Sequence, residues 1–166
     1  RQRQMCIRDR DFPFTPHTND DLITALLMVD EVTEENGPLE VWTGSHTGKI
    51  HSLWHDDEFT GAVSAEITEE ALRNRQICTG TPGSVCLMHT RLLHGSAPNQ
   101  SDMPRTLFIC VYSAVDAMPI SPSPVPTRDQ GQIVRGEDHG RVRAVGYDMP
   151  MPELPKGASF FDQQAG

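Results

Sequence analysis

The sequence predicts an all-β domain, an antiparallel sandwich or barrel with the jelly roll as its favoured form. Three observations carry that reading: short runs rich in β-branched and aromatic residues, 13 glycines and 13 prolines punctuating them, and one convincing short helix. Glycine and proline in such numbers suit strands joined by turns better than a helical bundle.

The elements follow in order. Residues 11–14 read as the end of a strand, stopped by Pro16. Residues 22–32 (LITALLMVDEV) form a near-continuous apolar run that ends at Asn36-Gly37-Pro38, a strong turn signal because glycine takes positive φ without a Cβ clash. The pattern of residues 22–28 alone also admits a helix, but the flanking turns and short length favour a strand. Residues 39–42 predict a short strand closed by Gly44-Ser45-His46, and residues 49–60 a polar excursion. Residues 68–75 (TEEALRNR) predict the helix, with Thr68 as cap, Glu69 and Glu70 at its positive end and Arg73 and Arg75 near its other end. Residues 84–88 and 106–115 predict two further strands. The segment 119–126 (PISPSPVP) predicts an extended linker, and residues 130–166, polar with few apolar anchors, are expected to wrap the domain or to lack order in part.

At 166 residues the chain accommodates one domain with a real core. A formal net charge of −9 argues against nucleic acid or an anionic membrane surface as partner, and no apolar run approaches the length of a membrane span. Of four cysteines, Cys78, Cys86 and Cys110 sit in apolar strand-like runs and read as buried free thiols, which points to a reducing compartment, most simply the cytoplasm.

Residues 1–10 (RQRQMCIRDR) differ in composition from all that follows. Residues 5–10 reverse-translate to a string resembling a transposon-end sequencing adapter, so native sequence is expected to begin at about Asp11, with its upstream part missing. A genuine basic arm is the alternative. Without this segment ten basic and 22 acidic residues remain, a net of −12. The expected organisation is 1–10 non-native, 11–118 the core and 119–166 a Pro/Gly-rich extension.

Seven histidines are present, and His94 stands out by its setting. It closes an apolar run, precedes Gly95-Ser96, and leads through a polar loop to Arg105 and another strand. Read as a hairpin, this puts an imidazole and a guanidinium at one end of a barrel, both pointing inward. Iron(II) oxygenases use two histidines and a carboxylate on one face of an octahedron. A guanidinium holds a carboxylate bidentately where a lysine cannot. His17 with Asp20 is a weaker ligand pair. His89, five residues before His94, falls on the opposite strand face, and His51, His55, Asp56 and Asp57 suit a solvated loop. Tyr112 and Trp54 fit packing or substrate contact equally.

Four strings together, DFPFTPHTNDDLI at 11–23, DEVTEENGPLEV at 30–41, GSH at 44–46 and HGSAPNQSDMPR at 94–105, resemble the phytanoyl-CoA dioxygenase family of iron(II)- and 2-oxoglutarate-dependent oxygenases. The resemblance runs from Asp11 to about Ala117. It implies a double-stranded β-helix, incomplete at its N-terminus, with Fe(II) as metal and 2-oxoglutarate as co-substrate. By the family pattern His94 is the distal iron ligand, and Arg105, helped by Ser96, pairs with the far carboxylate of 2-oxoglutarate. The other ligands form an H-x-D motif whose carboxylate falls on Asp11. Its histidine belongs at position 9, where this chain has Asp9, and that departure coincides with the adapter junction. Thr43 replaces the family's usual proline before Gly-Ser-His, at a turn of structural weight only.

The implied activity is hydroxylation of a small organic substrate by O2, releasing succinate and CO2. The resemblance leaves the substrate and the oligomeric state open. The alternatives are a non-catalytic jelly-roll binding module, an inactive fragment lacking the first histidine ligand, and a metal-dependent cupin isomerase. The last needs more histidines in register and gives Arg105 no task. Missing early strands would leave sheet edges and core exposed and the chain poorly soluble alone.

Overall fold

A computed structural model describes residues 10–123 and 125–151. Its elements are α1 (Asp11–Phe14), β1 (Leu22–Met28), β2 (Leu39–Trp42), β3 (Trp54–His55), β4 (Glu58–Phe59), α2 (Ala65–Arg73), β5 (Arg75–Cys78), β6 (Val85–His89), β7 (His94–Ser96) and β8 (Leu107–Ser113), with a 3-10 turn at Ser45–Thr47. Two antiparallel three-stranded sheets form, in the orders β6-β1-β8 and β5-β2-β7, and β3 and β4 pair as a small ribbon. From β5 onward each successive strand lies in the other sheet, the winding of a jelly roll, as the composition and turn spacing predict.

Strand β1 is central in its sheet, and its side chains alternate as a pleated strand requires. Leu22, Thr24, Leu26 and Met28 are buried, while Ile23, Ala25 and Leu27 face outward. Leu39 and Val41 of β2 meet Leu26 and Met88 from the facing sheet, with Cys78, Cys86, Leu92 and Leu107 packed around them. This inter-sheet core defines the inside of the sandwich. A second cluster, Phe14, Leu53, Val63 and Leu93 with Trp42, Phe59 and Ile67, covers the outer side of the β5-β2-β7 sheet using α2 and the β3–β4 ribbon. The outer face of β6-β1-β8 has no such cover among the described residues. Val85 (54% exposed), Leu87 (67%), Phe108 (60%) and Tyr112 (47%) lie open there.

The Asn36-Gly37 turn does what its sequence predicts. Buried Asn36 accepts from the Thr33 N–H and donates to the Glu31 carbonyl. Gly37 has φ +81°, and a Cβ there would fall 2.7 Å from the Ala97 carbonyl oxygen. Glycine is therefore needed both for the turn and for the close passage of the segment that runs between β7 and β8.

Several expectations are corrected. Residues 11–14 form a short helix rather than a strand end, because the Thr15 N–H turns back onto the Asp11 and Phe12 carbonyls. Helix α2 begins at Ala65, three residues before Thr68, and is capped by Ser64, whose Oγ accepts from the Ile67 N–H at 3.4 Å. The three described cysteines are half-buried rather than buried. The stretch 143–151 wraps the domain by specific bonds. Val145 N–H donates to the Thr18 carbonyl, the Tyr147 hydroxyl to the His17 carbonyl, and Trp54 Nε1 to the Met151 carbonyl. Arg143 bridges Asp21 and Asp116.

Candidate functional site

Helix α1 is anchored before its first side chain can be used. Phe12 N–H donates to the Thr90 carbonyl, Phe12 and Phe14 are buried, and Pro13 is compatible with a helix's first turn, where its missing N–H costs nothing. With its neighbours fixed, Asp11 is left facing the sandwich interior. One carboxylate oxygen accepts from the Thr24 hydroxyl at 2.7 Å, and the other stands 3.4 Å from His94 Nε2.

His94 opens β7 and pairs with Val41 of β2, a core residue, which turns its ring inward. Its Nδ1 lies 3.0 Å from the Leu92 carbonyl oxygen. A carbonyl can only accept, so Nδ1 is the donor in that contact, and Nε2 is the nitrogen that faces Asp11. An imidazole nitrogen and a carboxylate oxygen aimed at each other, each steadied by a second group, are a donor set suited to a divalent cation. Asp11 and His94 fit as two of its ligands. The expected third position, Asp9, lies outside the described residues. Among the described residues no group of three metal-capable side chains occurs.

Ser96 follows His94 by two positions on β7 and pairs with Leu39, so it shares the inward face. Arg105 enters from the other sheet. The Thr106 N–H donates to Asp30 Oδ2 at 2.8 Å and the Val29 N–H to the Thr106 carbonyl, which fixes the start of β8. Burial of the half-exposed Arg105 lowers its pKa from the ordinary arginine value. Among the described residues its guanidinium makes no hydrogen bond or ion pair with Asp11 or Ser96. The expectation of a hairpin is overturned, since β7 pairs with β2 and β8 with β1. His94 lies on a strand of one sheet, and Arg105 precedes a strand of the other.

The other histidines are placed elsewhere. His89 pairs with outward-facing Ile23 and stacks near His46, ring centroids 5.4 Å apart. His89 and His94 belong to different strands, so sheet membership rather than strand parity separates them. His17 Nδ1 contacts the Thr15 carbonyl and His55 Nε2 the Ala62 carbonyl. Ser45 Oγ accepts from the Leu93 N–H, tying the Gly-Ser-His turn to the residue before His94. Arg10, 1% exposed, donates to the Ser45 and Lys49 carbonyls. A cavity of about 350 Å³ lies against Phe12, Asp20, Lys49, Arg91 and Tyr147. None of the four predicted site residues lines it, so it is not the space between Asp11 and His94.

Thr24 is the residue that sequence reasoning missed. Its signal was present, since it is the one hydroxyl at an inward position of an otherwise apolar strand.

The family model described as phytanoyl-CoA dioxygenase matches residues 8–107. The chain is 41% identical over 115 residues to a probable alpha-ketoglutarate-dependent hypophosphite dioxygenase of Stutzerimonas stutzeri, covering 67% of this chain and 40% of that protein. It is 27% identical over 154 residues to the L-proline trans-4-hydroxylase of Streptomyces griseoviridis, covering 75% and 55%. It thus spans about half or less of these relatives' lengths. Among solved structures, EctD from S. alaskensis with 2-oxoglutarate and 5-hydroxyectoine is similar at TM-score 0.53 and 29% identity, over 68% of this chain and 39% of that one.

Proposed function

The chain belongs to the phytanoyl-CoA dioxygenase family, and on that premise we propose that the protein is an iron(II)- and 2-oxoglutarate-dependent dioxygenase hydroxylating a small organic substrate, with release of succinate and CO2. The observation that carries this reading is the facing pair Asp11 and His94, with Thr24 and the Leu92 carbonyl steadying them. When bound, iron(II) with 2-oxoglutarate supplies the activation of O2 and the oxidation of the C–H bond. Asp11 and His94 hold the metal. Arg105 pairs with the far carboxylate of the co-substrate and Ser96 donates to it. A half-buried guanidinium already stripped of part of its water gives such a carboxylate a stronger partner than one in bulk solvent. O2 and a small substrate are the partners this chemistry needs.

Titration of the chain with iron(II) and 2-oxoglutarate under argon tests the reading. Metal-dependent uptake of 2-oxoglutarate, lost in Asp11→Ala and weakened in Arg105→Ala, is the expected result. Uptake indifferent to metal or to Arg105 would refute those roles. Turnover is tested with Asp9→His, where substrate-dependent succinate release is expected to rise above that of the unaltered chain.

The second reading, a jelly-roll binding module without iron chemistry, is favoured by one observation. Among the described residues only two metal-capable side chains meet at the site. The same titration separates the two, because a pure module takes up no 2-oxoglutarate with the metal.

A further inference from the structure

Cys78 ends β5 in one sheet, and Cys86 lies near the start of β6 in the other. Each points into the sandwich, Cys78 being paired with Leu39 and Cys86 with Leu26, two residues of the inter-sheet core. Both thiols pack against that one cluster, Cys78 from one sheet and Cys86 from the other. The connection that brings them together is fixed at several points. Gly80 exchanges both backbone hydrogen bonds with Val32, Gly83 turns the chain at φ +89°, and the Gly83 N–H donates to the Met28 carbonyl. Two thiols are therefore held on facing layers of one interior cluster by both ladders and by the crossover joining them.

We propose that Cys78 and Cys86 form a reversible oxidation site, closing to a disulfide that staples the two sheets beside the metal-ligand pair. Peroxide is the class of oxidant required. The Cys86 thiolate attacks one peroxide oxygen, the O–O bond breaks, and a sulfenic acid forms with release of water after protonation. The Cys78 sulfur then attacks that sulfenic sulfur, the S–O bond breaks, its thiol proton leaves with the hydroxyl, and a second water is released. Two thiols and one hydrogen peroxide thus give one disulfide and two waters, with sulfur oxidised and peroxide oxygen reduced. The roles follow the surroundings of each thiol. Interaction with Cys86 and burial both push the Cys78 thiol up, while the same interaction, opposed by burial, brings Cys86 down to about 7. Cys110 faces outward on β8, opposite Ala25, away from this pair.

This site is independent of the iron reading, so its test uses the chain in chelator without metal. The protein is treated with hydrogen peroxide, alkylated, digested and weighed. The expected product is a monomer lighter by two hydrogens, with a peptide pair joined through Cys78 and Cys86 that dithiothreitol separates. Its melting temperature should rise by several degrees over the reduced form, because the link restricts the unfolded chain. In Cys78→Ser a dimedone-reactive sulfenic acid should accumulate on Cys86. If that variant does not fold, Cys110→Ser serves instead, and the link must form there in full. Separate alkyl groups on Cys78 and Cys86 after oxidation, or links to Cys110 or between chains, would overturn the proposal.

Discussion

The two sheets of this sandwich share an interior but differ in what lies behind them. Behind β5-β2-β7 stand α2 and the β3–β4 ribbon, closing a cluster in which Leu93 is fully buried. Behind β6-β1-β8 the described chain places nothing, and Leu87 and Phe108 are about as open as surface residues. The predicted site draws on both layers unequally. His94 comes from the covered sheet, and Thr24 from β1, a central strand hydrogen-bonded on both edges. Arg105 leads into β8, where Phe108 and Tyr112 on one face and Ile109 and Val111 on the other are exposed. The proposed ligand His94 thus rests on the covered sheet, and the proposed co-substrate anchor Arg105 leads into the strand with the most exposed side chains.

The largest expected effect separates the two layers directly. Leu93→Ala should lower unfolding free energy by about 2–5 kcal/mol, the usual cost of emptying a buried leucine site. Leu87→Ala should change it by about 0.5 kcal/mol or less. Urea unfolding followed by circular dichroism measures both, and equal effects would break the comparison. Next, Thr24→Val removes the donor to Asp11 while keeping its volume. Affinity for manganese(II) should then fall roughly 10- to 100-fold, as for other groups that orient metal ligands. An unchanged titration would remove Thr24 from the site.

A smaller effect concerns pH. Burial lowers the pKa of His89, with His46 and Arg91 adding to it against Asp20, and burial followed by the charges of Arg10 and Lys49 lowers that of His51. The unfolded chain therefore binds more protons than the folded one below the ordinary histidine value of about 6.5. Stability should be full above that pH and decline as pH falls toward the lowered folded values. Thermal melts of His89→Gln should show a flatter decline, and a decline of unaltered slope would assign the effect to other groups. Smallest in stability, Leu87→Lys with Phe108→Lys should leave the urea midpoint nearly unmoved yet reduce self-association in sedimentation, since both side chains lie on the bare face.

Legibility followed the range of the interaction. Strand β2 was readable to the residue, because the Asn-Gly-Pro turn and the Gly-Ser-His turn bracket it. Strand β5 was not, because Arg75-Gln76 is polar and its pairing with β2 is decided by partners distant in sequence. The Asp11–His94 meeting was reachable only through family resemblance. The hairpin read into residues 94–105 failed for a related reason. A turn-rich loop between two strands looks the same whether it returns along one sheet or crosses to the other. The crossing is set by Gly37 and Asn36, which receive that loop at Ala97 and Pro104.

The bonds from residues 143–151 back to residues 17, 18, 21 and 54 carry a consequence for how the molecule is made. Those to residues 17, 18 and 21 buttress the segment that joins α1 to β1, and so the mount of Asp11. During vectorial synthesis that mount forms early but waits for a stretch translated more than a hundred residues later, and contacts of such high sequence separation are slow to close. The proposed ligand carboxylate is thus made well before the stretch that secures its mount.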